Sequence, residues 1–117
     1  MITNFDHITR DLTADEARLL PIIISGMKAH MGNLNAITGK EICSKVSGLT
    51  EPRLRKLVNF IRTNGILPVI ATSNGYYTAD TVEEVEKQIQ SLNDRIAAIS
   101  SARDGLMKFI PKPEVLG

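Results

Sequence analysis

Residues 50–77 read TEPRLRKLVNFIRTNGILPVIATSNGYY, and the first half of this stretch predicts a helix. Thr50 has the hydroxyl typical of an N-cap, and Pro52 lies in the first turn, where its missing N–H loses no hydrogen bond. Apolar residues then recur at the spacing of one helix face: Leu54, Leu57, Val58 and Ile61. Asn64-Gly65 predicts the end of the helix, because glycine readily takes the left-handed conformation of a C-terminal cap.

The second half of the stretch predicts a β-hairpin. Residues 66–72 are apolar and rich in β-branched side chains, and Pro68 indicates an edge strand or the start of a strand. Asn74-Gly75 is the strongest short hairpin signal, and both residues are expected to have a positive φ. Residues 76–78 suit the returning strand.

A second, shorter helix precedes this stretch. Thr38 and Glu41 form the pattern of a capping box at the start of residues 39–46. Gly48 suits the positive φ of a turn, and Leu49 is expected to fill the space between the two helices. Two short helices around such a turn, followed by a hairpin, predict a winged helix-turn-helix domain, which is mainly α with a small β-hairpin.

The predicted domain covers residues 13–80. Residues 1–12 form an N-terminal arm, whose apolar Phe5 and Ile8 are candidates to fold back onto the core. Thr13 and Glu16 open the first helix as another capping box. Pro21 interrupts its apolar pattern, so we expect either a kink there or two short helices that meet at this point.

A long helix follows in residues 81–110, opened by a third capping box of Thr81 and Glu84, before a tail of residues 111–117. Its apolar residues alternate at spacings of three and four, as in a coiled coil, and Arg103 is the one polar member of the row. A helix of residues 82–109 would be about 42 Å long, more than a small domain covers. It either folds back along its own domain or pairs with the same helix of a second chain, and we favour a homodimer. The predicted dimer interface is Val85, Ile89, Leu92, Ile96, Ile99 and Leu106.

Charge is segregated along the chain. The formal net charge is only +1, so any affinity for nucleic acid must come from local clustering. Residues 40–62 contain only two acids, Glu41 and Glu51, beside six basic residues: Lys40, Lys45, Arg53, Arg55, Lys56 and Arg62. A basic helix face is often only a solvated surface, but a helix-turn-helix and hairpin around it favour nucleic-acid binding.

Residues 50–76 resemble the recognition helix and wing of the biotin-repressor type of winged helix. The matching features are the capping Thr50, the apolar stripe, the Ile61-Arg62 pair before Gly65, and Gly75-Tyr76 on the wing. The resemblance does not extend to a biotin ligase, for which the chain has no room. More of the chain is similar to small winged-helix proteins of phages and prophages, which implies a family but no particular activity.

Other classes of function lack support in the sequence. His7, His30 and Cys43 lie far apart and without ligand spacing, so no metal or cofactor site and no enzyme activity is predicted. The single cysteine cannot form an internal disulfide. No run approaches the ~20 apolar residues of a membrane span. The start of the chain does not read as a signal peptide, and a cytoplasmic protein is expected.

The predicted function is sequence-dependent binding of double-stranded DNA by a homodimer of phage or prophage type, in transcription regulation or replication. Lys56 and Asn59, predicted to face away from the core, are candidates for base edges, with Arg55 on their border. Either Tyr76 or Tyr77 is expected to face the core, leaving the other free to touch the DNA backbone. Predicted phosphate contacts are Lys40, Lys45, Arg53, Arg62, Ser73 and Asn74. The alternative is a protein-interaction module, in which the domain is a scaffold and the long helix binds a partner.

Overall fold

The structure is a computed structural model, and it describes residues 12–112. Its elements in chain order are α1 (Ala14–Lys28), a 3-10 turn (Asn33–Asn35), α2 (Gly39–Lys45), α3 (Glu51–Thr63), β1 (Val69–Thr72), β2 (Gly75–Thr78) and α4 (Val82–Met107). This is the predicted mainly α fold, with a winged-helix-like order of three helices, an antiparallel hairpin and a long helix. The predicted arm, apart from Leu12, and residues 113–117 of the tail lie outside the described residues.

Capping boxes begin three of the helices, as predicted. At α1, the Thr13 hydroxyl accepts the Glu16 backbone N–H at 3.1 Å, and the Glu16 carboxylate accepts the Thr13 N–H at 2.8 Å. The same exchange occurs in two further pairs: Thr38 with Glu41, and Thr81 with Glu84. These bonds satisfy backbone donors that have no partner within the helix, and so they fix where each helix starts.

Helix α1 runs without a break through Pro21. Of the two expected alternatives, the one with two short helices is therefore wrong. Proline removes one helical hydrogen bond, but Leu19, Ile23 and Met27 lie on one face of α1 and are almost wholly buried. Packing of this face against the rest of the core offsets the lost bond, as tertiary contacts commonly override local preference.

Helices α2 and α3 form the predicted helix-turn-helix. Gly48 in the turn has a φ of 83°, and Leu49 is 7% exposed. The stripe that begins at Leu54 is the buried face of α3. The helix ends in a Schellman motif, because Gly65 donates its N–H to the Arg62 carbonyl and Ile66 donates to the Ile61 carbonyl.

The hairpin is shorter than predicted, and its turn is centred one residue before the Asn74-Gly75 pair. Strands β1 and β2 pair in antiparallel register from Val69 with Thr78 to Thr72 with Gly75, which leaves residues 73–74 as the loop. Gly75 has the predicted positive φ, at 121°. Asn74 does not, because no residue other than glycine has a positive φ within residues 12–112. The prediction for Asn74 is therefore wrong.

A third segment explains the geometry at Gly75. Tyr76 exchanges backbone hydrogen bonds of 2.8 and 2.9 Å with Ile37, in the connection between α1 and α2. A Cβ atom added to Gly75 would lie 2.5 Å from the Ile37 carbonyl oxygen, closer than real contacts allow. Glycine is thus required here both by its φ and by the approach of a neighbouring backbone.

The helices and the hairpin enclose one main core, which joins α1, α2, α3 and β1. A smaller cluster holds Ile70, Tyr77 and Ala79, and Val85 packs against it. The boundary between two compact units falls between Val85 and Glu86. Helix α4 contains no buried residue, and it ends at Met107, three residues before the end of the predicted segment 81–110.

Candidate nucleic-acid interface

The outer face of α3 carries four exposed side chains that share one side of the helix: Pro52, Arg55, Asn59 and Thr63. Arg55 and Asn59 are one helical turn apart, so both side chains lie over the same surface. The Arg55 guanidinium forms no hydrogen bond or ion pair with another residue of the described range 12–112. This face therefore presents a cation and an amide that are both available to a ligand.

Lys56 does not belong to this face. Its Nζ lies 2.8 Å from Oε1 of Glu16 in α1, and the Glu16 side chain is only 7% exposed. The expectation that Lys56 faces away from the core is thus corrected. A helical wheel gives the direction in which the Lys56 side chain leaves α3. It does not show that α1 packs beside α3 and brings the Glu16 carboxylate within reach of the flexible lysine side chain.

The Lys56–Glu16 pair is structural. The hydrogen bond from Lys56 and the one from the Thr13 N–H hold the pKa of the Glu16 carboxyl below its ordinary value, although burial acts in the opposite direction. A carboxylate this poorly hydrated needs a counterion, because an unpaired buried charge is strongly destabilising. The Lys56 ammonium supplies it.

Two arginines connect α3 to its neighbours. Arg53 donates from Nη1 to the Gly48 carbonyl oxygen at 3.1 Å, in the turn before the helix. Arg62 donates from Nε to the Val69 carbonyl oxygen at 2.8 Å, in β1. Both bonds go to neutral carbonyl groups. Each arginine therefore ties α3 to a neighbouring segment, at the edge of the exposed face.

The remaining predicted contacts lie on α2 and at the hairpin loop. Lys40 and Lys45 are exposed at the two ends of α2. Ser73 and Asn74 are exposed in the loop, where the Asn74 backbone N–H donates to the Thr72 hydroxyl at 3.2 Å. All four side chains are therefore accessible.

Neither hairpin tyrosine is a freely exposed ring. Tyr77 is 5% exposed, and its burial, with a smaller effect of the Glu84 charge, raises the pKa of its hydroxyl. Tyr76 is partly buried and packs against the main core. The sequence predicted that one tyrosine would face inward, but contact with the 36–39 segment covers part of the other as well.

Two features go beyond the sequence predictions, which gave Glu84 only a place in a capping box and gave Thr63 no role in binding. Glu84 holds the start of α4 to the preceding connection, since its carboxylate accepts the backbone N–H groups of Asp80 at 2.7 Å and Asn33 at 3.1 Å. These bonds lower the pKa of the Glu84 carboxyl. Thr63 extends the exposed face of α3, and its periodic position was the available signal.

Neither a cluster of metal ligands nor a membrane-spanning helix occurs in the described part of the chain. Residues 12–112 contain no group of three or more potential metal ligands. None of the helices in the same range combines the length and the apolar character that crossing a bilayer requires.

The comparisons with known proteins return no match to a protein-family model, a curated protein or a solved structure. The winged-helix-like arrangement of the chain therefore stands on its own geometry: a helix-turn-helix, a β-hairpin and a long final helix.

Proposed function

We propose that the protein binds double-stranded DNA, with α3 in the major groove and the hairpin loop against the phosphate backbone. The observation that carries this proposal is the pair Arg55 and Asn59, exposed one turn apart on the second helix of a helix-turn-helix. That helix is the one that reads bases in winged and other helix-turn-helix proteins. We further propose the biotin-repressor type of winged helix, and a role in phage or prophage transcription regulation or replication.

The base-reading roles fall to Arg55 and Asn59. A guanidinium forms two parallel hydrogen bonds to guanine, and a carboxamide does the same with adenine. Lys56, predicted beside them, is held by Glu16, and its release would leave that carboxylate unpaired. We therefore assign Lys56 to the stability of the domain rather than to recognition.

Phosphate contacts surround this centre. Lys40 and Lys45 on α2, together with Arg53 and Arg62 at the edges of α3, supply charge without base specificity. Ser73 and Asn74 supply hydroxyl and amide donors at the loop. With a formal net charge of only +1, the protein depends on this cluster, and not on its overall charge, to attract DNA.

A salt titration tests the proposal. Fluorescence anisotropy with a labelled random duplex should show affinity that falls steeply with salt, with a log–log slope of about −0.9 for each phosphate that is neutralised. Arg53→Ala should make the slope shallower by about one such step, whereas Lys87→Ala, an exposed lysine on α4, should leave it unchanged. Absence of binding at low salt would contradict the proposal.

That negative result would favour the second candidate function, a protein-interaction module. One observation supports this candidate: α4 exposes large apolar side chains, including Ile96 at 61% and Leu106 at 70%. Apolar surface of this kind typically marks a binding site.

A further inference from the structure

One row of side chains on α4 has no cover among the described residues. The row comprises Ile89, Leu92, Ile96, Ile99, Arg103 and Leu106, here called the α4 seam. Ile89, Ile96, Ile99 and Leu106 are each at least half exposed, and none of the seam residues is buried. Their alternating spacing of three and four places them on a single coiled-coil stripe, with Ile89, Ile96 and Arg103 at one core position and the others at the second.

A second copy of the same helix is a suitable cover, because the seam is apolar at five of its six positions and would meet itself. The orientation is then decided by charge. In a parallel pair in register, each seam residue faces its own equivalent, so the two Arg103 side chains meet. The acidic first turns, with Glu83 and Glu86, would also lie side by side. Like charges at this distance repel.

An antiparallel pair removes both conflicts. When α4 overlaps its copy along nearly all of its 26 residues, Ile89 faces Ile99 and Leu92 faces Ile96 of the second copy. In this register Arg103 lies opposite residue 85 and beside Glu86 of the second copy. The acidic start of each helix then meets the arginine near the end of the other, and the two helix dipoles are opposed favourably.

The contacts that Arg103 and Glu86 form within their own chain are compatible with a pairing between the two chains. Arg103 pairs with its own neighbour Asp104 at 2.9 Å, but the side chains are 66% and 61% exposed, and such surface pairs contribute little. Glu86 is exposed, and it forms no salt bridge with another residue in the range 12–112. Both groups are therefore available to a second chain.

We infer that α4 forms an antiparallel two-stranded coiled coil with the α4 of a second copy, in the register that sets Leu92 against Ile96 and Arg103 beside Glu86. The inference concerns assembly and holds whether or not the protein binds DNA.

Disulfide trapping tests the register. In a Cys43→Ser background, a tagged Leu92→Cys chain is mixed with an untagged Ile96→Cys chain, allowed to exchange and mildly oxidised. We expect the mixed 92–96 disulfide to dominate on a non-reducing gel, because these positions face each other. Predominance of the like disulfides, 92–92 and 96–96, would indicate a parallel pair and overturn the inference.

Reversal of the charges at positions 86 and 103 gives an independent test of the register and leaves the apolar positions intact. Arg103→Glu and Glu86→Arg should each weaken dimerisation about tenfold, since each places like charges together, and the double variant should recover most of the loss. Lys87→Glu, an exposed charge change on the side of α4 opposite the seam, is the matched control. Sedimentation equilibrium measures the dimer Kd. A double variant no better than the single ones, or an unaltered protein that is monomeric at tens of micromolar, would overturn the inference.

Discussion

At the scale of single residues, the role of a basic side chain depends on which groups lie within hydrogen-bonding distance of its charged end. Arg55 and Lys56 are adjacent in sequence, yet Arg55 is exposed while Lys56 is bonded to Glu16. The sequence predicted the inner stripe of α3 correctly, because that depends only on helical periodicity. It did not predict the fate of Lys56, because the partner lies on another helix 40 residues away.

Substitution on α3 should separate stability from recognition. Lys56→Ala removes the counterion of a buried carboxylate and should lower the free energy of unfolding by about 1–3 kcal/mol. Asn59→Ala should change stability little, but should lower discrimination between DNA sites by about 1–3 kcal/mol. Urea denaturation and competition binding measure the two effects. A fully stable Lys56→Ala variant with altered base preference would contradict these assignments.

Lowering the pH should remove the stabilisation that the Glu16–Lys56 pair provides. Because the pKa of this carboxyl is lowered in the folded protein, its contribution to stability is complete above the unfolded value near 4.3 and is lost as the pH falls through the folded value. Glu16→Gln should therefore be less stable than the unaltered protein at pH 7, and the difference should shrink below about pH 4. Thermal denaturation across this range measures it. A difference that stays constant with pH would exclude the mechanism.

At the scale of elements, the sequence predicted that a hairpin forms but not the register in which its two strands pair. Its strands and the positive φ of Gly75 follow from local sequence signals. The position of the turn does not, because it is coupled to Ile37, which bonds to Tyr76 from a separate part of the chain. Local turn preferences favoured Asn74 with Gly75 at the centre, and the contact with Ile37 accompanies a turn centred one residue earlier.

Gly75 provides the test at this scale. Gly75→Val should distort the hairpin, since even its first side-chain carbon would lie 2.5 Å from the Ile37 oxygen, while the helices stay folded. We expect the amide NMR signals of residues 69–78 to shift and the helical circular dichroism to persist. Gly26→Ala is the control, because a Cβ there meets nothing within 4 Å and should be neutral or stabilising. Unchanged hairpin signals in Gly75→Val would refute this reading.

At the scale of the whole molecule, the order of elements and the extent of α4 follow from capping and periodicity. Thr81 and Glu84 start that helix as predicted. The sequence did not predict which charged side chains are paired, because pairing between distant segments depends on tertiary contacts. For this reason the inner face of α3 and the exposure of Asn59 were predicted accurately, whereas the pairing of Lys56 was not.

Assembly is tested at the same scale. Ile96→Asp places a charge in the middle of the α4 seam and should dissociate the inferred dimer, because the carboxylate would be buried without a partner in the interface. DNA binding should weaken at the same time, since two half-sites would no longer be held by one particle. Light scattering and anisotropy measure the two effects. Ala97→Asp, an exposed neighbour off the seam, is the control, and equal behaviour of the two variants would contradict the expected role of the seam.

The position of β2 has a consequence for the behaviour of the protein in concentrated solution. Strand β2 is flanked by β1 on one side and by Ile37 and Met31 on the other, so its backbone groups are not open to another chain. The other strand of the hairpin, β1, has only four residues and follows Pro68. Short edges next to proline resist strand-to-strand aggregation. The domain can therefore carry an exposed hairpin loop without offering a template for fibre growth.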